Sequence, residues 1–260
     1  MPLPELTPAM ALLLACAGVL GGAFNALAGG GSLFTFPVFI AAGLPPQVAN
    51  ASNSVAVWPG HALAVLGYRR ELAGDVRQLK VSAVLALLGG ATGAVLVKLI
   101  GNAAFSYAVP WLILFATLLF ASAQRLGRWA DGLGHGTTLE RPPVVARLME
   151  FAIGVYGGFF PAGLGVILMA SLMLMGVHDL QRNNALKNLL ASIATSTAVV
   201  VLSVSGLVSW PHTLVTFCGA LVGGVAGTRL ARVLPAQWLR RIVIATGTVL
   251  SLYYFWRYYS

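Results

Sequence analysis

The sequence predicts an all-α integral membrane protein of two inverted-topology repeats, each a re-entrant broken-helix hairpin plus about three spanning helices. Three observations lead there. First, 58% of the residues are hydrophobic and only 9% are charged, where soluble domains carry roughly 25% charged residues; the mean hydropathy is +0.85. Second, two apolar runs are interrupted by glycine-rich breaks, one at Asn25-Ala26-Leu27-Ala28-Gly29-Gly30-Gly31-Ser32 and one at Pro161-Ala162-Gly163-Leu164-Gly165. Third, the chain repeats itself at a spacing of 134 to 136 residues, and the bias of Lys and Arg among its loops inverts between the copies.

In order along the chain, the run 6–27 is long enough to span as a helix. It lacks the positive start and cleavage site of a signal peptide and is read as retained. The triple glycine stops it, because glycine takes dihedrals that other residues cannot. The next helix, 33–42, is about 15 Å long, half the hydrocarbon thickness, and Gly43-Leu44-Pro45-Pro46 ends it. A helix over 50–66 opens on the polar cluster Asn50, Ser52, Asn53 and Ser54 and precedes a loop with Arg69, Arg70, Arg77 and Lys80. Spanning helices are expected at 79–100 and 105–123. The polar stretch 124–147 reads as a cytoplasmic linker, separating a first membrane repeat (1–123) from a second, inverted one (148–260). In the second repeat, 148–160 is a short helix, 166–175 is again half-length, and 185–205, 213–230 and 242–256 complete the set. The aromatic cluster at 253–259 suits a membrane–water interface.

The copies match closely. Gly18 to Gly22 aligns with Gly154 to Gly158, Ala86 to Gly93 with Ala220 to Gly227, Gly29 and Gly31 with Gly163 and Gly165, and Asn53 with Asn188. Gly89, Gly90 and Gly93 and their partners Gly223, Gly224 and Gly227 read as close helix packing. The loop after 66 is basic and its counterpart 206–212 has no Lys or Arg, whereas the turn after 100 has none and its counterpart after 230 is basic. Since Lys and Arg favour the cytoplasmic side, the halves take opposite topology and their hairpins enter from opposite faces. Broken helices in inverted repeats place a binding site at the midplane.

The candidate site residues follow from the breaks. Amides freed at a helix start carry partial positive charge and suit an anion. Asn25, Gly29, Gly30, Gly31, Ser32, Asn50, Ser52 and Asn53 form the first half of the candidate substrate site, and Pro161, Gly163, Gly165, Lys187 and Asn188 the second. Taken one at a time, the polar members also suit capping or interhelical hydrogen bonds. Lys187 has two readings, a helix-end lysine reaching the interface or an anion ligand. His61, inside an apolar helix, is either packed and neutral or a gating or proton-linked group. His135, His178 and His212 fall in loops and form no metal constellation.

Several classes are excluded. The net charge of +9 resides in short loops, where it reports orientation and not nucleic-acid binding. Cys16 and Cys218 lie in apolar runs and imply neither disulfide nor metal. No acidic residue lies in the middle of a predicted helix, Glu150 being placed near a helix end, so the paired carboxylates of hydrolases and the carboxylate of proton pumps are not expected. No P-loop appears. The chain is read as a non-enzyme without cofactor or metal; a membrane enzyme acting on lipid or quinone is disfavoured because no nucleophile or acid–base pair converges.

The ordered set Gly21-Gly22, Ala28 to Ser32, Pro37, Gly43 to Pro46 and Ala49 to Asn53, with Gly163-Leu164-Gly165, Gly176 and Ala185 to Asn188 in the second half, resembles the TauE/SafE sulfite exporter family over nearly the whole chain. The usual Thr-Asn is here Ser52-Asn53, and Leu164 makes the second tip bulkier. The resemblance implies a multi-pass protein of the bacterial inner membrane whose partners are the lipid bilayer and a small anion, a sulfur oxyanion or organosulfonate, moved outward. Import of such an anion, carriage of another small organic anion, and a homodimeric assembly stay open.

Overall fold

The computed structural model describes residues 4–72, 79–132, 144–230 and 236–259. Among them every regular element is helical: α1 (Pro8–Ala28), α2 (Ser32–Ala41), α3 (Pro46–Gly67), α4 (Lys80–Gly132), α5 (Val144–Phe159), α6 (Leu164–Leu174), α7 (Leu180–Val204), α8 (Trp210–Leu230) and α9 (Ala236–Tyr259). Segments Pro8–Asn25, Lys80–Ser122 and Leu180–Val204 are long and apolar enough to cross a membrane. The 43 residues of the second would reach about 65 Å if straight, twice a hydrocarbon layer. A single non-helical residue, Gly101 at φ 74° and ψ 166°, kinks α4 into two limbs. Large apolar side chains face outward, among them Leu99, Val204 and Trp256, as a lipid-facing surface requires.

Local chemistry explains the ends. Thr7 caps α1 by accepting the Met10 amide at 3.3 Å, with Pro8 in the first turn, where its missing N–H costs nothing. Gly29 closes α1 in the left-handed region (φ 73°), its amide donating to the Asn25 carbonyl at 3.1 Å. Asp179 caps α7 by accepting from the Arg182 amide at 2.7 Å. Gly163 precedes α6 at φ 82°.

Three expectations move. Helix α3 begins at Pro46 and α7 at Leu180, each about a turn earlier than polarity suggests, so Asn50 to Asn53 and Lys187-Asn188 sit inside helices and not at their starts. The prolines at 45 and 46 start α3 as readily as they stop α2. Helix α4 runs on to Gly132 and α5 starts at Val144, so both ends of the stretch 124–147 are helical; residues 133–143 lie outside the described residues, as do 73–78, with Arg77, and 231–235. Glu150 is six residues past the start of α5, in mid-helix, and buried.

The helices interleave across the two halves. Helix α1 packs on α8 and α5 packs on α4; α3 touches α8 as α7 touches α4; α2 reaches α9 as α6 reaches α4; and α3 packs against α7. Glycines set these approaches. A Cβ on Gly22 would lie 2.2 Å from the Ala220 carbonyl oxygen and one on Gly223 1.9 Å from that of Val19. On the other pair, a Cβ on Gly93 would lie 2.1 Å from the Val155 oxygen and one on Gly158 2.1 Å from that of Gly90. Gly89 and Gly90 are equally crowded, by α5 and α7 backbone. Gly224 departs from the packing expectation: the nearest atom to its Cβ position is the Gly60 Cα at 4.0 Å. The side-chain face of Gly227 lies outside the described residues.

Candidate functional site

The two breaks meet. A Cβ on Gly29 would lie 2.8 Å from the Gly165 Cα, so the tip between α1 and α2 touches the tip between α5 and α6. Around this contact Asn25, Ser32, Pro161 and Gly165 are all buried. The Pro161 carbonyl accepts the Leu164 amide at 3.3 Å, and the Tyr156 hydroxyl donates to the Ala162 carbonyl, which holds the second turn in shape. Gly163 lies over Ala116 of the second limb of α4, and a Cβ there would make only ordinary contacts at 3.5 Å.

The three consecutive glycines have three different neighbours. Gly31 faces the backbone: its Cβ would lie 2.1 Å from the Gly21 carbonyl oxygen. Its Cβ side packs α2 against α1. Gly30 faces a side chain instead, its Cβ position 2.6 Å from the Phe120 ring. Gly30→Ala is therefore expected to impair transport by pushing that ring, and Gly30→Ala combined with Phe120→Leu to recover most of the rate in reconstituted vesicles. A double variant no faster than Gly30→Ala would show that Gly30 itself meets the substrate.

Polar groups of α1 and α3 lie beside the tips. Asn25 donates from Nδ2 to the Val57 carbonyl at 3.4 Å. Asn50 donates from Nδ2 to the Phe159 carbonyl at 2.9 Å, taking up an acceptor that the end of α5 frees; its Oδ1 has no partner. Ser52 accepts the Ser209 amide on Oγ at 2.9 Å. Asn53 Oδ1 accepts from the Thr35 hydroxyl, which ties α3 to the half-helix α2, and Nδ2 is left without a partner. Asn50, Ser52 and Asn53 are wholly shielded from solvent.

The second-half counterparts meet α3 further along, at His61. Asn188 donates to its own helix at the Asn184 carbonyl (2.9 Å) and presents Oδ1 to His61 Nδ1 at 3.4 Å. His61 is buried on α3, within electrostatic reach of Lys187. Lys187 has no solvent exposure and its Nζ has no hydrogen-bond partner. The amine is enclosed within the bundle and does not reach its surface. A buried ammonium without a partner is costly. Glu150, the buried acid of α5, is engaged elsewhere. It accepts from Arg147 Nη1 at 2.8 Å and from Ser82 Oγ at 2.7 Å, beside a cavity of about 20 Å³ that Leu164, Ser171 and Leu190 also line.

Sequence reasoning misses Thr35, Ser209 and His212. Thr35 lies three residues past Ser32, on the same helix face, a readable signal. His212, expected in a loop, is the third residue of α8, buried, with Nδ1 2.8 Å from Ser209 Oγ. Of these groups, Asn53 Nδ2, Lys187 Nζ and His212 Nε2 are left without hydrogen-bond partners, and groups of this kind can hold a small oxyanion.

Known proteins place the chain. A Haemophilus influenzae protein named "Probable membrane transporter protein" is 27% identical over 240 residues, covering 92% of each chain. The Escherichia coli "Probable membrane transporter protein YfcA" is 24% identical over 250 residues, 94% of this chain and 89% of its own. The Bacillus subtilis "Probable membrane transporter protein YunE" is 22% identical over 255 residues, 89% of this chain and 92% of its own. No solved structure matches significantly. The family model described as Sulfite exporter TauE/SafE matches residues 14–254, and with apolar helices long enough to span a bilayer the chain belongs to that family of membrane transporters.

Proposed function

We propose that the chain is a secondary transporter that exports a small sulfur-containing anion, sulfite or a short organosulfonate, across a bacterial inner membrane. The observation that carries this reading is the fully buried, unpartnered Lys187 ammonium on α7, beside His61 of α3. On this reading the substrate oxygens take hydrogen bonds from Lys187 and the amides that open α2 and α6. The halves 1–123 and 148–260 act as inverted repeats whose re-entrant hairpins, α1–α2 and α5–α6, enter from opposite faces with the basic loops inside. The exchanged contacts of α1 with α8 and α5 with α4 support that symmetry.

Energetics favour export without a coupled ion. The cell interior is negative, so each negative charge leaving gains about 2.3 kcal/mol per 100 mV. A dianion gains about twice that, roughly three orders of magnitude in concentration ratio. Proteoliposomes loaded with sulfite, ethanesulfonate or sulfate test this, with a potassium gradient and valinomycin setting the potential. Efflux of a sulfur anion is expected to accelerate when the lumen is negative and to slow when the sign is reversed. Efflux that ignores potential but follows a pH gradient would replace uncoupled export by proton-linked transport, with His61 the first residue to change.

A further inference from the structure

We propose that Ser52, Ser209 and His212 form a second oxyanion-holding station, at the opposite end of α3 from Lys187. The inference rests on the transporter reading and adds to it a place where the anion pauses near one face. Ser52 and His61 are nine residues apart on α3, about 14 Å along the axis. His61 leads to Asn188 and Lys187; Ser52 leads to the start of α8. By the repeat Ser52 occupies the position of Lys187, so each half places a polar residue at the same register of its long helix.

The station is built from an unusual use of a helix start. Ser209 directly precedes α8, and its carbonyl accepts the Thr213 amide at 2.9 Å, the first bond of the helix. A serine there ordinarily turns its hydroxyl onto an amide of the first turn. Here Ser209 Oγ lies 2.8 Å from His212 Nδ1, while Ser52 Oγ accepts the Ser209 amide. With the hydroxyl donating to Nδ1, the ring proton sits on Nε2. The opposite tautomer would leave two groups wanting partners, the hydroxyl proton and Nε2. His212 is 2% exposed and its Nε2 has no hydrogen-bond partner.

The result is a buried N–H donor on the first turn of a 21-residue helix, whose start carries partial positive charge although Pro211 contributes no amide proton. Thr213 and Thr216 do not compete, since their hydroxyls return to the Ser209 and His212 carbonyls at 2.7 and 3.1 Å. Helix α8 begins at Trp210, which sets the station at the face where that helix starts. A small oxyanion satisfies an orphan donor and a helix start together.

The test uses sidedness. The full chain is placed in membrane vesicles of both orientations, with sulfite as the probe. His212→Ala is expected to raise KM about tenfold for sulfite entering from the face where α8 begins. From the opposite face KM should stay within about twofold of wild type. His212→Gln, which retains a donor, should recover much of the loss, and an unchanged thermal midpoint in detergent excludes a folding defect. An equal change from both faces, or none, overturns the station. If Lys187→Met still abolishes transport in that case, the transporter reading stands without it. If the wild type moves sulfite from neither face, reading and station fall together.

Discussion

Lys187→Met is expected to abolish anion binding while leaving the protein at least as stable as wild type. The amine is wholly buried with no partner, so in the empty protein it only loses hydration. Methionine has nearly the same length and none of that penalty. Binding should weaken by roughly 100-fold or more, about 3 kcal/mol, in line with removing one member of a desolvated charge pair. Titration calorimetry with sulfite, beside thermal unfolding in the same detergent, separates the two effects. A stabilised variant that no longer binds marks a residue retained for function. A variant that binds normally would remove the central support for the site, and one that fails to fold would mark Lys187 as structural. Lys98 lies between the exposed Leu96 and Leu99 on α4 and serves as a control: Lys98→Ala should bind as wild type does.

Gly29→Val should be the most damaging change at the tips, because two separate costs coincide. The residue sits at φ 73°, where an L side chain is strained by about 1–2 kcal/mol. Its Cβ would also lie 2.8 Å from the Gly165 Cα, and backbone cannot rotate aside as a side chain can. Overlap of this kind costs about 1–3 kcal/mol. The tips must separate or a half-helix must shift. Transport should be lost and the thermal midpoint should fall by several degrees. Gly163→Val is the informative comparison. It carries the same backbone strain at φ 82° but meets only ordinary 3.5 Å contacts, so it should be the milder of the two. Equal damage from both would show that strain alone, and not the meeting of the tips, makes the first glycine necessary.

Much of the fold is legible in the sequence because it is coded locally. Apolar run lengths report spanning helices, and Gly29, Gly43, Gly101, Gly163, Gly176 and Gly206, all at positive φ, stand where only glycine turns the chain without strain. Small residues at helical spacing mark the faces where α1 meets α8 and α4 meets α5. The starts of α3 and α7 escape such a reading because polarity does not mark a boundary there. Asn50, Ser52 and Asn53 are polar for a partner across the bundle, not for a cap.

What the sequence by itself determined is therefore the membrane class, the two breaks, the repeat and the set of polar residues near the breaks. Tertiary structure alone decided which of them face one another: that Gly29 rests on Gly165, that the Cβ side of Gly31 meets Gly21 while that of Gly30 meets Phe120, that Lys187 is buried, that Glu150 is held by Arg147 and Ser82, and that Ser209 links His212 to Ser52. The physical reason is range. A dihedral preference belongs to one residue, but a neighbour through space depends on which faces of helices more than a hundred residues apart come together, and glycine-lined faces allow that approach without naming the side chains it will bury.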